Sequence, residues 1–94
     1  MRKYELMTVF PLDEDRAKKG SEAVRAVLAQ FGSEIEKEDV FGDRDLAYEI
    51  AKQNKGRFVL FIIKANPAKI AEIQAQFKLN VDLLKFMFVQ IEDK

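Results

Sequence analysis

Ninety-four residues with zero formal net charge, 16 basic against 16 acidic, exclude a general polyanion binder and leave a local basic patch as the route to nucleic acid. With no cysteine and no histidine, the chain cannot build disulfides, thiolate metal sites, Cys- or Ser/His-based nucleophiles, or nearly any zinc centre. Its 48% hydrophobic and 34% charged residues describe one soluble globular domain over residues 1–94 with no membrane-length apolar run, and an intracellular protein needing no cofactor is expected.

Lys3 to Phe10 reads as a strand. Tyr4, Leu6, Thr8 and Phe10 fall on one face and Met7 and Val9 on the other, so both faces are apolar and the strand is expected to be central. Pro11 ends it, lacking an N–H for a ladder. Asp13 to Gly32 reads as a helix, with Asp13 as N-cap, acidic residues in the first turn, and Gly32 as the left-handed residue past the end. Ala17, Val24, Val27, Leu28 and Phe31 share its apolar face. Gly20, in mid-helix, costs about 1 kcal/mol relative to Ala, and close packing against the sheet is the expected reason for it.

Ser33 to Ile50 reads as a long strand with a bend. Glu36, Lys37, Glu38 and Asp39 give it the charge of an edge strand, and Gly42 is placed at a bulge. Leu46, Tyr48 and Ile50 alternate as on a half-buried strand, and Ala51 to Gly56 is taken as a polar hairpin connector. Phe58 to Ile63 is an unbroken apolar run, the pattern of a strand covered on both sides; Phe61 is assigned to the helix-covered face and Leu60 to the other. Asn66-Pro67 opens a second helix to about Lys78, with Ile70, Ile73, Phe77 and Ala71 as its inner face. Leu79 to Leu83 links to a last strand, Leu84 to Ile91.

The order strand, helix, strand, strand, helix, strand (βαββαβ) predicts an α+β, ferredoxin-like split β-α-β fold. This is a four-stranded antiparallel sheet with two helices on one face and strands one and three in its centre. The second strand is an edge. The second face of the sheet is left for something else to shelter.

That fold hosts many functions. The opening Met1-Arg2-Lys3-Tyr4-Glu5, the stretch Gly42-x-Arg44-x-Leu46-Ala47-Tyr48-x-Ile50-x-Lys52, Gly56 before an aromatic strand, and Asn80, Asp82, Leu84, Lys85 and Met87 resemble the bacterial small-subunit ribosomal protein number six family over essentially the whole chain. The sequence departs from the family pattern at Glu49, where Pro is usual, and at Lys85, where Arg is usual. The resemblance implies a non-enzymatic, cytoplasmic, ribosome-associated component of the small subunit. It also implies binding to the central domain of 16S rRNA together with small-subunit ribosomal protein number eighteen, as a heterodimer.

With that resemblance in view, Arg2, Lys3, Tyr4, Arg44, Lys52, Lys55, Arg57 and Lys85 are the candidate rRNA-binding residues, cations at strand ends being suited to phosphates. Leu46, Tyr48, Ile50, Phe58 and Leu60 are the candidate partner-binding residues. Among the aromatics, core packing is favoured for Tyr48, while Tyr4 and Phe58 stand open between core and stacking. The third strand lacks the basic-glycine-aromatic signature of an RNA-recognition-motif sheet, so phosphate and shape recognition fits better than base stacking.

Acidic pairs at strand spacing, Asp43 with Asp45 and Glu36 with Glu38, would each point to one face and could do acid/base work or hold a divalent cation. Exposed edge charges are the simpler reading. Acylphosphatases share the topology but need a glycine-rich anion cradle, and Phe10-Pro11-Leu12-Asp13 has none. The stronger rival is a stand-alone small-molecule-sensing or regulatory module of the same topology that dimerises through its open sheet. The ribosomal reading expects a monomer in isolation instead.

Overall fold

The computed structural model describes residues 1–91. Six main elements follow in the expected order: β1 (Arg2–Phe10), α1 (Glu14–Gln30), β2 (Glu34–Ile50), β3 (Gln53–Ala65), α2 (Ile70–Lys78, preceded by a 3-10 turn at Pro67–Lys69) and β4 (Lys85–Gln90). The strands form one antiparallel sheet in the order β2-β3-β1-β4. β1 and β3 are therefore central and β2 is an edge. The fold is the ferredoxin-like α+β arrangement.

The period-2 pattern decides which face the helices cover. Tyr4, Leu6, Thr8 and Phe10 of β1 and Val59, Phe61, Ile63 and Ala65 of β3 are buried. They meet Ala17, Val24 and Leu28 of α1 and Ile73 and Phe77 of α2. Phe86 and Phe88 of β4 complete this layer, with Phe77 stacked on Phe88 and edge-on to Phe86. Thr8, a buried polar side chain in this core, donates its hydroxyl to the Val59 carbonyl at 2.7 Å. Phe61 is fully buried while Leu60 lies on the opposite face, half-buried, which settles the orientation that the unbroken apolar run by itself leaves undetermined.

Local chemistry sets the ends of the helices. The Asp13 carboxylate accepts from the Arg16 backbone N–H at 3.1 Å, and Asn66 likewise caps the second helical segment by accepting from Ala68 N–H at 3.0 Å. Ala71, expected on the inner face of α2, is exposed; the inner stripe consists of Ile70, Ile73 and Phe77. Gly20 lies where a β-carbon would collide with the Asp82 carbonyl oxygen and approach the Phe10 ring to 2.8 Å. The glycine thus admits both the first strand's end and the α2–β4 loop. Arg16 fastens the same loop, donating to the Asp82 carboxylate at 2.8 Å and to the Val81 carbonyl at 3.0 Å.

β2 departs most from an ideal strand. Its register against β3 shifts three times, between Ile35 and Lys37, between Val40 and Gly42, and between Asp45 and Ile50. Gly42 sits at the middle irregularity with φ 103°, a backbone that favours glycine. The third shift is the largest: four residues, Leu46 to Glu49, face only Asn54 on the opposite strand. The expected connector from Ala51 to Gly56 is a two-residue turn instead. Ile50 pairs with Gln53 around Ala51 and Lys52, both left-handed at φ 49° and 65°. The surplus residues on the β2 side, rather than a long loop, make the hairpin tip arch.

Candidate functional site

The arch carries the hairpin tip over the face of the sheet that the helices leave open. By strand alternation that face presents Lys3, Glu5, Met7 and Val9 from β1, Phe58, Leu60, Ile62 and Lys64 from β3, and Lys85, Met87 and Val89 from β4. At one end, Met7, Val9, Phe58 and Met87 form the floor of a cup whose wall is Leu46, Ala47, Tyr48 and Ile50, enclosing about 180 Å³. The tip reaches from the β2 edge to the β4 edge. There the Lys85 ammonium donates to the Tyr48 hydroxyl at 3.4 Å and lies 5.5 Å from the centre of the Tyr48 ring. Gly56 makes room for the floor, since a β-carbon there would collide with the Val9 side chain. Part of the open face is thus sheltered by the chain itself. The shelter is incomplete: Met87, in the floor of the cup, is 52% exposed and Val89 beyond it 49%.

Four of the five candidate partner-binding residues, Leu46, Tyr48, Ile50 and Phe58, come together in this cup, and Leu60 follows Phe58 along the same face. Tyr48 is not the packed residue expected. It stands 61% exposed, because the arch lifts it out of the ladder. Met7, Val9, Ala47 and Met87 also line the cup and were not among the candidates. Alternation on the first and last strands already places Met7, Val9 and Met87 on the open face, whereas nothing in the sequence signals the arch that adds Ala47.

The candidate cations divide differently. Arg2 and Lys3 lie at one end of β1, and Arg57 and Lys85 pair near its other end, opposite Phe10 and Val9. The two groups lie roughly 20–27 Å apart along the strand at ~3.4 Å per residue, so they form two patches rather than one cluster. Lys3 is held by Glu36 at 3.2 Å, which also reaches Lys64 at 3.5 Å; hydrogen bonding to Lys3 lowers the Glu36 carboxyl below its ordinary 4.5.

Arg57 is engaged within the fold. It grips Glu14 of α1 at 3.0 and 3.3 Å and Asp43 of β2 at 3.0 Å, joining three elements. These hydrogen bonds raise its pKa and lower that of Glu14. Its guanidinium is thus committed to two carboxylates of the fold. Tyr4, left open between core and stacking, is 7% exposed and packs in the core edge-on to Phe88. Lys55 makes only a long contact with Asp45, at 3.9 Å. Arg2, Arg44, Lys52 and Lys85 carry no ion pair among the described residues.

The acidic pairs do not assemble. The bulge at Glu36 turns it to the open face with Lys3 and Lys64, while Glu38 forms a double hydrogen bond with Arg25 of α1 at 2.8 and 2.9 Å on the other side. That bond raises the Arg25 pKa. Asp43 answers Arg57 and Asp45 answers Lys55. No group of three metal-ligating residues exists among the described residues.

Comparison with known proteins joins these observations. The family model described as Ribosomal protein S6 matches residues 3–90. The chain is 56% identical over 93 residues to the small ribosomal subunit protein bS6 of Treponema denticola, covering 99% of this chain and 100% of that one. It is 45% identical over 92 residues to bS6 of Treponema pallidum, covering 98% and 99%. The crystal structure of 30S ribosomal protein S6 from Thermotoga maritima superposes with a TM-score of 0.84 at 20% identity, over 96% of this chain and 87% of that one, which speaks for the shared fold. With a family match from the first strand to the last, and relatives of the same length aligned end to end, this chain belongs to the ribosomal protein S6 family.

Proposed function

We propose that this chain, a structural and non-enzymatic protein of the small ribosomal subunit, binds the central domain of 16S rRNA jointly with small-subunit ribosomal protein number eighteen. The observation that carries the reading is the pairing of an apolar, partly uncovered sheet face with cations at its margins that make no ion pair among the described residues, in a molecule of zero net charge. An apolar face of this kind marks a protein contact rather than an RNA contact. Arg2, Arg44, Lys52 and Lys85, with Lys3 and Lys55 more weakly, supply the phosphate contacts from strand ends and the hairpin tip. Leu46, Tyr48, Ile50, Phe58 and Leu60, with Met7 and Met87, supply the partner contact.

In this reading the acidic edge, Glu36 to Asp39, and the acidic first turn of α1 face away from the RNA. Alone, the chain is a monomer with little affinity for RNA, since no general field draws it to a polyanion. Sedimentation with small ribosomal subunits through a high-salt cushion tests the assignment. The chain is expected in the subunit pellet. Its release at a salt concentration that leaves the other small-subunit proteins bound would overturn the reading.

A further inference from the structure

The cup under the hairpin tip has a size and a chemistry that select its occupant. Its volume of about 180 Å³ is close to the ~150 Å³ that accommodates a benzene ring in an apolar protein cavity. Two thioethers, Met7 and Met87, lie in the floor beside Phe58, and sulfur at a ring edge is a favourable contact for an aromatic guest. The charge at the cup is the Lys85 ammonium, already placed over one ring; it favours a further π-face and opposes a cationic tip. A nucleobase fits poorly. Its polar edge would need several partners, and the lining side chains offer only the Tyr48 hydroxyl and the Lys85 ammonium.

We propose that the cup is a socket for one aromatic side chain, phenylalanine or tyrosine, projecting from the partner ribosomal protein. This rests on the partner-binding reading above. The hairpin tip is the movable wall of the socket, held by the long Tyr48–Lys85 hydrogen bond and able to close over the ring once it is seated. Such a buried ring would be the anchor of the interface, with Val89 and Leu60 as weaker surrounding contacts.

The test uses the full chain and the purified cognate partner. In the complex, nuclear Overhauser contacts are expected from aromatic ring protons of the partner to the Met7 and Met87 methyl groups. Ala47→Phe, which fills the cup from its wall, is expected to weaken partner binding about 30-fold or more, the scale of an anchor residue. Val81→Ser, on the exposed α2–β4 loop at the helix side, should change it less than about 3-fold, as for an apolar residue outside the interface.

A complex that forms without aromatic contacts to either methionine, or that tolerates Ala47→Phe, overturns the socket and leaves the partner reading standing. Contacts from Phe41 of a second copy, a phenylalanine of this chain that is 46% exposed, would assign the socket to self-association and overturn the proposal. Failure of the unaltered chain to bind the partner at all overturns both readings. Should Ala47→Phe lower the melting temperature, the contacts in the unaltered complex decide the matter.

Discussion

Gly20 occupies a position where the ordinary rule for helices reverses. In an exposed helix, Gly→Ala gains about 1 kcal/mol. Here the added methyl would meet the Asp82 backbone carbonyl and the Phe10 ring, and the carbonyl is fixed by the Arg16 and Asn80 hydrogen bonds around it. Gly20→Ala is expected to destabilise by roughly 1–3 kcal/mol, the usual cost of overpacking. A rise in the urea midpoint would show that the loop gives way. Glu14 makes the second residue-scale prediction. Its hydrogen bonds from Arg57 hold its folded-state pKa below the ordinary 4.5, so the pair's contribution to stability is present above about that pH. That contribution is lost as pH falls through the lower folded value. The urea midpoint of Glu14→Gln should therefore lie below that of the unaltered chain at pH 7, and the two should converge as the pH falls below the lowered folded-state value. Because Glu14 is largely exposed, the gap should be small and should shrink in salt.

At the scale of elements, the strands themselves were legible, but the phase of β3 was not, because Phe58 to Ile63 is apolar at every position and carries no alternation. Leu6 and Phe61 are fully buried and paired, while Met7 and Leu60 look the other way, which is the phase assigned to Phe61 and Leu60. Phe61→Ala should cost roughly 3–5 kcal/mol and Leu60→Ala only about 1–2, since Leu60 is half-buried on the open face. Urea melts giving the reverse order would invert the assignment of faces. The edge role of β2 and the bulge at Gly42 were legible too, from its charges and its glycine. The hairpin tip was not. Leu46, Tyr48 and Ile50 alternate like a paired strand, but four residues opposite one cannot remain in a ladder, and the sequence carries no mark of that mismatch. Reading them as a strand made Tyr48 a packed residue, and Tyr4 was left open although its neighbours on the same face are core.

At the scale of the whole molecule, the fold placed the apolar candidates together and the cations apart. The ion pairs of Arg57 were hidden in the sequence, because its partners Glu14 and Asp43 are 43 and 14 residues away along the chain. The proposed RNA contact rests on a small set of cations with no ion pair among the described residues, on a chain with no net charge and beside a partly uncovered apolar face. Affinity for RNA should then come from joint binding, each protein raising the effective concentration of the other at the site. The most direct test is the affinity for a central-domain rRNA fragment, measured across a salt series with and without the partner protein, for the unaltered chain and for Arg2→Ala combined with Arg44→Ala. Expected are weak binding alone, a contribution of this chain to the log K against log salt slope of about −3 from roughly four phosphate contacts, strong enhancement by the partner, and a shallower slope for the double substitution. Tight binding by the chain alone, with a steep slope unaffected by the double substitution, would contradict these expectations.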